Sequence, residues 1–534
     1  MRRLARLLLV LLPLTSVGVL PGCRATRTPA DALPASDRVV VLLPESIKGT
    51  FDPRLNTRAW SAKIIDLLHE GVVSVHNAEG EPRPALAERI EQPTPAVYDI
   101  TLRANARFQD GTPVTADDVV ATYESVRDPA FKSPFREQYK RIQTMEILGE
   151  KRLRITLDGP HAPFLSDLSL GILPRHAMGP DFALKSDLGA GPYRLASRVG
   201  EREVVLARHD GYWRGSPTMP WIVFRTVSDQ NTRVLALLSG AADVVQNAVT
   251  PRLADALRTR PELVVETVPG GGYTYVAYNL RRPILADVRV RQAFAHAVDR
   301  GNLITHKFRG TARPATGLLP RQHWAFNPQA VDFPYDPAEA ERLLDAAGWP
   351  RGADGHRFEI TLKVSADKFR RNLAALVAHD LEQVGVGVAV QPLETGTLLA
   401  DVKAGNFDLY LLQWQGGGEP HFFNWIFHSE RIPTLAEPNR GGNRGAYHNA
   451  QVDALIEAGR AETAVDQRRR IYGELQTILA REQPYLSLWH EDVIVVRRAG
   501  LQGYAALPDA SMYGLWQARW APAGVADPGM TPGH

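Results

Sequence analysis

Phe108-Gln109-Asp110-Gly111-Thr112-Pro113-Val114-Thr115-Ala116-Asp117-Asp118-Val119 is the stretch on which the fold turns. Asp110-Gly111 and Pro113 punctuate a tight turn. Thr115 then stands at the N-cap of a helix with Asp118 three residues on, the spacing at which each side chain serves the other's backbone N–H. Val119, Val120, Tyr123 and Val126 give that helix one apolar face.

Working outward, Asp336-Pro337-Ala338-Glu339 repeats the signal with Pro at the first helical position. Ala340, Leu343, Leu344 and Ala347 share a face there, and Gly348 is the stop. Asp287 caps a third predicted helix with the stripe Val290, Ala293, Phe294, Ala297 and Val298. A fourth runs from near Asp466 to Leu479. Arg38 to Leu43, Tyr273 to Leu280 and Phe407 to Trp414 read as strands, and alternation puts Tyr273, Tyr275 and Asn279 on one face. Pro269-Gly270-Gly271-Gly272 reads as a flexible break in mid-chain, a hinge or domain crossing. Elements alternate without a fixed-period repeat, so the fold class is α/β rather than a solenoid or a barrel.

The chain has 534 residues, too many for one ordinary domain, and at about 150 residues per domain two to four are expected. Hydrophobic residues at 44% and charged residues at 23% are those of a soluble body. The net charge of +3 is carried by Arg2, Arg3 and Arg6, so the remainder is neutral and no nucleic-acid partner is expected. Arg far outnumbers Lys, which reads as a composition bias rather than as anion recognition.

Those three arginines precede an apolar run from Leu7 to Leu20 that Pro13 and Thr15-Ser16 interrupt, so residues 1–22 are expected to be a cleaved signal peptide rather than a span. Leu20-Pro21-Gly22-Cys23 resembles the bacterial lipobox, in which the Cys is diacylated through sulfur and begins the mature chain. Cys23 is the single cysteine of the protein, which leaves no internal disulfide and puts the lipidation candidate at the anchor position. Residues 24–37 then read as a flexible tether.

From about residue 38 to the end the chain resembles the extracellular solute-binding family that includes bacterial oligopeptide-, dipeptide-, glutathione- and nickel-binding proteins of ABC importers. The opening stretch is that family's most recognisable segment. Gly171-Ile172-Leu173-Pro174-Arg175-His176, Gly189-Ala190-Gly191-Pro192-Tyr193, Tyr212-Trp213-Arg214-Gly215, Val290-Arg291-Gln292-Ala293 with Val298-Asp299-Arg300, and Tyr335-Asp336-Pro337 follow in the expected order. The resemblance implies a two-lobed periplasmic-binding-protein fold with an extra subdomain and a hinge. It divides the chain into a first lobe of residues 38–72, 175–268 and 490–534, a subdomain of 73–174 inserted in it, and a second lobe of 269–489, behind the anchor and tether of 23–37. It implies a monomer that takes a small molecule or peptide between its lobes and passes it to an ABC permease and its ATPase, at the outer face of the membrane or in the periplasm.

The resemblance also implies that Trp414, in the loop after the strand 407–414, stacks over the ligand. Dipeptide-type relatives follow that Trp with an Asp for the peptide's amino group. Here the chain reads Trp414-Gln415-Gly416-Gly417-Gly418-Glu419-Pro420. The Asp is absent, so Gln415, Gly417 and Glu419 enter the expected lining and a modified peptide is as well suited as a free one. Arg444, close to Tyr447, is a candidate carboxylate clamp, since guanidinium binds that group bidentately. Tyr275, Asn279, Glu45 and Phe51 complete the expected lining.

Other classes fit less well. Ser365-Ala366-Asp367-Lys368 is a nominal S-x-x-K with no K-T-G or S-D-N partner, so an enzyme is not expected. His421, His428, His448 and His490 match no ligand spacing, so no metal site or cofactor is expected. A binder of nickel chelates, opines or oligosaccharides, and a sensing or chaperone-like protein of the same fold, remain the alternatives to a peptide carrier.

Overall fold

The computed structural model describes residues 29–415 and 418–521. The signal peptide, Cys23 and Gly417 lie outside the described residues. Arg38–Leu43 (β1) is apolar without alternation, which suits a strand covered on both faces. Val39 through Leu43 are indeed all buried, each contributing about 1.5–3 kcal/mol of transfer free energy. β1 pairs in parallel with Trp221–Thr226 on one side and Val244–Gln246 on the other.

One sheet grows from this seed in both directions, with eleven strands among the described residues. Glu203–Arg208 and Tyr193–Val199 extend it past Trp221–Thr226 as antiparallel strands. Beyond Val244–Gln246 come Leu263–Tyr278 (β2), Leu409–Gln415 (β3) and Tyr485–Arg498 (β4), in the spatial order β4, β2, β3 and antiparallel throughout. Phe358–Ser365 and Val386–Leu393 then close the far edge as parallel strands. β2 and β4 are therefore the rails that join the two halves of the sheet. Their first-half portions pair Leu263 to Val268 with Arg498 to Val493, and their second-half portions pair Gly272 to Ala277 with Glu491 to Tyr485.

Pro269-Gly270-Gly271-Gly272 is not a break in the chain. It lies inside the continuous strand β2, at a register shift between Val268 and Gly272. The glycines are there for proximity: a Cβ on Gly270 would stand 2.3 Å from the Glu491 carbonyl oxygen and 3.2 Å from the Val493 nitrogen. Gly271 N–H donates to the Pro508 carbonyl at 3.1 Å, which ties the crossing to the C-terminal segment.

Ala59–Leu68 (α1) covers the first half, packing Ile64, Ile65, Leu67 and Leu68 against β1. Ala116–Arg127 (α2) is capped as the sequence predicts. Asp118 N–H donates to Thr115 Oγ1 at 3.4 Å and Thr115 N–H donates to Asp118 Oδ2 at 2.8 Å. Val119, Tyr123 and Val126 of α2 join the core beneath a separate antiparallel sheet of residues 87–94, 97–102, 152–157 and 142–149. Lys368–Gln383 (α3) lies over the second half. Asp367 accepts the Arg370 N–H at 2.9 Å, so the Asp of the nominal S-x-x-K is a helix cap. The predicted helices at 287, 336 and 466 are present as Val288–Ala297, Pro337–Ala346 and Val465–Glu482.

The tether reading needs correction at its end. Residues 29–37 form two short 3-10 turns rather than loose chain, Ala30 is fully buried, and Asp31 pairs with Arg225 at 2.5 Å. Among the described residues no helix is long and apolar enough to cross a membrane.

Candidate ligand-binding site

A cavity of about 630 Å³ opens where the two halves of the sheet meet. α1 supplies Lys63 and Asp66 to one wall, the start of α3 supplies Phe369 and Arg370 to the other, and Gln413 and Glu491 form the floor. The floor follows from strand alternation, since pairing puts Thr274 opposite Gln413 and Gly272 opposite Glu491 on one face of the rails.

These groups form one network. Arg370 Nη1 donates to Glu491 Oε1 at 2.7 Å and its Nη2 to Gln413 Oε1 at 3.2 Å, and Thr274 Oγ1 donates to Glu491 Oε1 at 2.9 Å. Burial would raise the Glu491 carboxyl, but the Arg370 charge and the hydrogen bonds from Arg370, Thr274 and Gln413 outweigh it and hold the group below its ordinary range. Both side chains of the pair keep 23% of their surface exposed, so an incoming solute reaches them.

The first-half wall carries a second network. His76 sits between Asp509, 2.8 Å from Nδ1, and Asp66, 3.6 Å from Nε2, and stacks on Tyr513 with centroids 5.2 Å apart. Burial disfavours the imidazolium, yet Asp66 and Asp509 together raise the His76 pKa well above its ordinary value. Lys63 donates to the Ala510 carbonyl, and burial lowers its pKa against the pull of Asp66 and Asp509. Asp492, next to the floor and 7% exposed, is pushed up to about 6 by burial, against the charge of Arg313. Groups of both signs thus face one cavity from both halves of the sheet, an arrangement that suits a zwitterionic solute.

The residues singled out from the sequence divide into three sets. Trp414, Tyr275 and Arg444 do come together, but on the opposite face of β3 from the cavity. Trp414 is half-buried, stacks parallel to Tyr275 at 6.2 Å, meets Phe422 edge-on at 5.5 Å and has the Arg444 guanidinium carbon 5.2 Å from its ring. Tyr275 also stacks on Tyr485, 4.3 Å away, and on Tyr273, 5.4 Å away. The Trp414 Nε1 and the Arg444 Nε are buried without a hydrogen-bond partner, and Arg444 has no carboxylate partner among the described residues. Gln415 ends β3 opposite Gly272.

The second set is structural. Asn279 is not on the tyrosine face but beyond the end of β2, where its amide donates to the Phe407 carbonyl at 2.8 Å and the Gly405 carbonyl at 3.1 Å. Tyr447 is buried with its hydroxyl donating to Glu482 at 2.6 Å. Phe51 is a core residue beneath Arg198, which lies 4.8 Å from its ring. Glu45 is exposed at the surface, and its carbonyl accepts from Thr226 at 3.2 Å. In the third set, Glu419 is no free anion, because Arg468 donates to its carboxylate.

Sequence reasoning missed Lys63, Asp66, His76, Arg370, Gln413, Glu491 and Asp509. Two of these had a signal: Glu491-Asp492 is an acidic pair inside an apolar strand run, and Gln413 is the alternate neighbour of Trp414. The others meet only through the fold.

The model of the bacterial extracellular solute-binding proteins, family 5, matches residues 81–433, about two thirds of the chain. The chain belongs to that family. Among relatives of this solute-binding chain, the oligopeptide-binding protein AppA of Bacillus subtilis is 26% identical over 458 residues, covering 81% of this chain and 82% of that protein. The probable di/tripeptide-binding protein 5 of Pseudomonas aeruginosa is 27% identical over 513 residues, covering 89% and 95%. The crystal structure of NikZ from Campylobacter jejuni in complex with Ni(L-His) superposes with a TM-score of 0.79 at 22% identity, covering 91% of this chain and all of that one. That likeness establishes the two-lobed fold of the family.

Proposed function

We propose that this protein is the substrate-binding component of an ABC importer, which captures a peptide or modified peptide between its lobes and delivers it to the permease. The observation that carries the reading is the cavity between the halves of the sheet, with Arg370 and Glu491 on the floor and the His76, Asp66 and Asp509 group on the wall. These supply charge of both signs for the two ends of a zwitterion. The relatives named for oligopeptides and di/tripeptides, each matched over most of its length, support the same class. Ligand contact with both lobes shifts an open–closed equilibrium, and the permease reads the closed form.

In this reading the chain crosses between lobes near Pro269 and again near His490. The subdomain is residues 73–174, and the monomer is exported and held to the membrane by lipid on Cys23. Glu419 is committed to Arg468, so a free amino end is met by the acids of the cavity wall rather than by the loop after Trp414.

The test is a melting screen of the denatured, refolded and therefore ligand-free protein against trialanine, N-acetyl-trialanine, Ni(L-His) and maltotriose. Binding to the native state alone adds about 2.7 kcal/mol at a hundredfold excess over Kd, a measurable rise in Tm. Stabilisation by either peptide supports the reading. Stabilisation by Ni(L-His) or maltotriose and by neither peptide overturns it.

A further inference from the structure

Tyr212-Trp213-Arg214 lines no part of the cavity and closes instead around a carboxyl group inside the first half of the molecule. Glu70, just past the end of α1, is 3% exposed. The Tyr212 and Tyr513 hydroxyls donate to its Oε2 at 2.6 and 3.0 Å and lie 2.7 Å from each other. Arg214 stands 4.0 Å from Oε1 and 5.8 Å from the Tyr513 ring, and its guanidinium covers Trp213 at 4.5 Å. Burial raises the Glu70 carboxyl against the charge of Arg214 and the two tyrosine hydrogen bonds. An acid this deep is costly, and here its bonds fix two tyrosines in place.

One of those tyrosines reaches the cavity wall. Tyr513 stacks on His76 with 26° between the ring planes, so the imidazole is bounded on its face by Tyr513 and at its nitrogens by Asp509 and Asp66. The segment leading to Tyr513 also holds both acids. Ser511 N–H donates to Asp509 Oδ1 at 2.8 Å, Ser511 Oγ donates to Asp66 Oδ2 at 3.2 Å, and Tyr513 N–H donates to Ser511 Oγ at 3.0 Å. The titratable and charged groups around His76 are Lys63 and Asp66 from α1, Asp509 and Tyr513 from the C-terminal segment, and Glu70 and Arg214 behind the tyrosine. Asp66 and Asp509 keep 23% and 31% of their side-chain surface exposed, so a solute still reaches them.

We propose that Glu70, Tyr212 and Tyr513 are positioning residues for the cavity: they clamp the His76 ring between Asp66 and Asp509, so that its positive charge offsets part of the negative charge that the wall presents to the amino end of the solute. The inference rests on the reading of that cavity as the solute site. Tyr513 acts through both of its ends, the hydroxyl anchored on the buried carboxyl and the ring lying against the imidazole. A His76 ring free to leave the two acids loses the charges that stabilise its proton, becomes neutral at pH 7.5 and leaves the wall more negative. The brace therefore sets how strongly the wall favours a charged amino end over a neutral one.

The test begins with NMR of the ligand-free protein, its histidines labelled with carbon-13 at Cε1, titrated with pH and assigned by means of His76→Gln. His76 is expected to lose its proton at least about 1 pH unit lower in Tyr513→Leu than in the wild type, a tenfold weaker hold. Glu70→Leu gives the same fall. Glu70→Gln rescues it, because the amide oxygen still accepts from both hydroxyls although the charge is gone. Tyr513→Phe keeps the stack, loses the hydroxyl and falls between, which keeps the test alive if the Leu variant folds poorly. Thr115→Ala, a destabilising change in α2, leaves the His76 midpoint where it is. The second readout is calorimetry at pH 7.5. The ratio of trialanine to N-acetyl-trialanine affinity rises at least about threefold in Tyr513→Leu, whereas a merely structural loss weakens both peptides alike. An unchanged midpoint in Tyr513→Leu, equal falls in Glu70→Gln and Glu70→Leu, or a lowered midpoint with an unchanged affinity ratio overturns the proposal. If neither peptide binds the wild type, the reading of the cavity fails and the midpoints alone decide whether the brace holds His76.

Discussion

Removing Arg370 tests the electrostatics of the cavity floor directly. The guanidinium donates to Glu491 at 2.7 Å, and both side chains are three-quarters buried. A hydrogen bond between charged groups in such a place contributes about 1.5–3 kcal/mol, and losing one partner leaves the other charge buried. The appropriate measurement is a double-mutant cycle of Arg370→Met and Glu491→Gln by urea unfolding, with an expected coupling of about 2 kcal/mol at pH 7.5. The dependence on pH has a definite sign. The folded Glu491 carboxyl lies below its ordinary value of 4.5, so its stabilisation is complete above that value and is lost as pH falls through the lower folded pKa. In Arg370→Met, burial acts with much less opposition and pushes the carboxyl up, so the sign reverses and stability falls as pH rises through the raised value. The gap between wild type and Arg370→Met should therefore be wider at pH 7.5 than at pH 4.5. A coupling within about 0.3 kcal/mol of zero, or a gap that narrows with rising pH, refutes the reasoning.

Asp492→Asn should flatten a different part of the pH profile. Its carboxyl is raised to about 6, so wild-type stability is greatest below the ordinary carboxylate range and falls by roughly 3 kcal/mol as pH rises from about 4 through 6, and unfolding of the Asn variant at pH 4 and 7.5 should show little of that fall. Gly270→Ala forces a Cβ to 2.3 Å from a backbone oxygen of β4, where neither central strand can move aside, and should cost about 1–3 kcal/mol in urea unfolding. Thr115→Ala removes half of the capping box of α2 and should cost about 1 kcal/mol, with Thr115→Ser retaining most of it.

Local chemistry was legible in the sequence. The cap at Thr115 and Asp118, the Asp336-Pro337 helix start and the continuous apolar run of β1 each depend on neighbours a few residues away, and each is found where the sequence puts it. The site was far less legible, for two physical reasons. A strand's faces alternate at every residue, so attention to Trp414 pointed at the tyrosine-lined face while Gln413, one residue earlier, faces the cavity. The wall pair His76 and Asp509 is brought together from opposite ends of the chain, and no local pattern announces it. Asn279 and Tyr447 misled for the converse reason. Their polar groups serve backbone carbonyls and Glu482 inside the second half, a use that composition does not distinguish from ligand binding.

Binding of the peptide in the cavity between the two halves of the sheet is tested most directly by calorimetric titration of the ligand-free wild type and of Arg370→Met with trialanine, or with its N-acetyl form where that stabilises more. Saturable one-to-one binding is expected, weakened at least about tenfold in Arg370→Met. Equal affinity in the two proteins, with the wild type binding tightly, would contradict it and move the peptide out of that cavity.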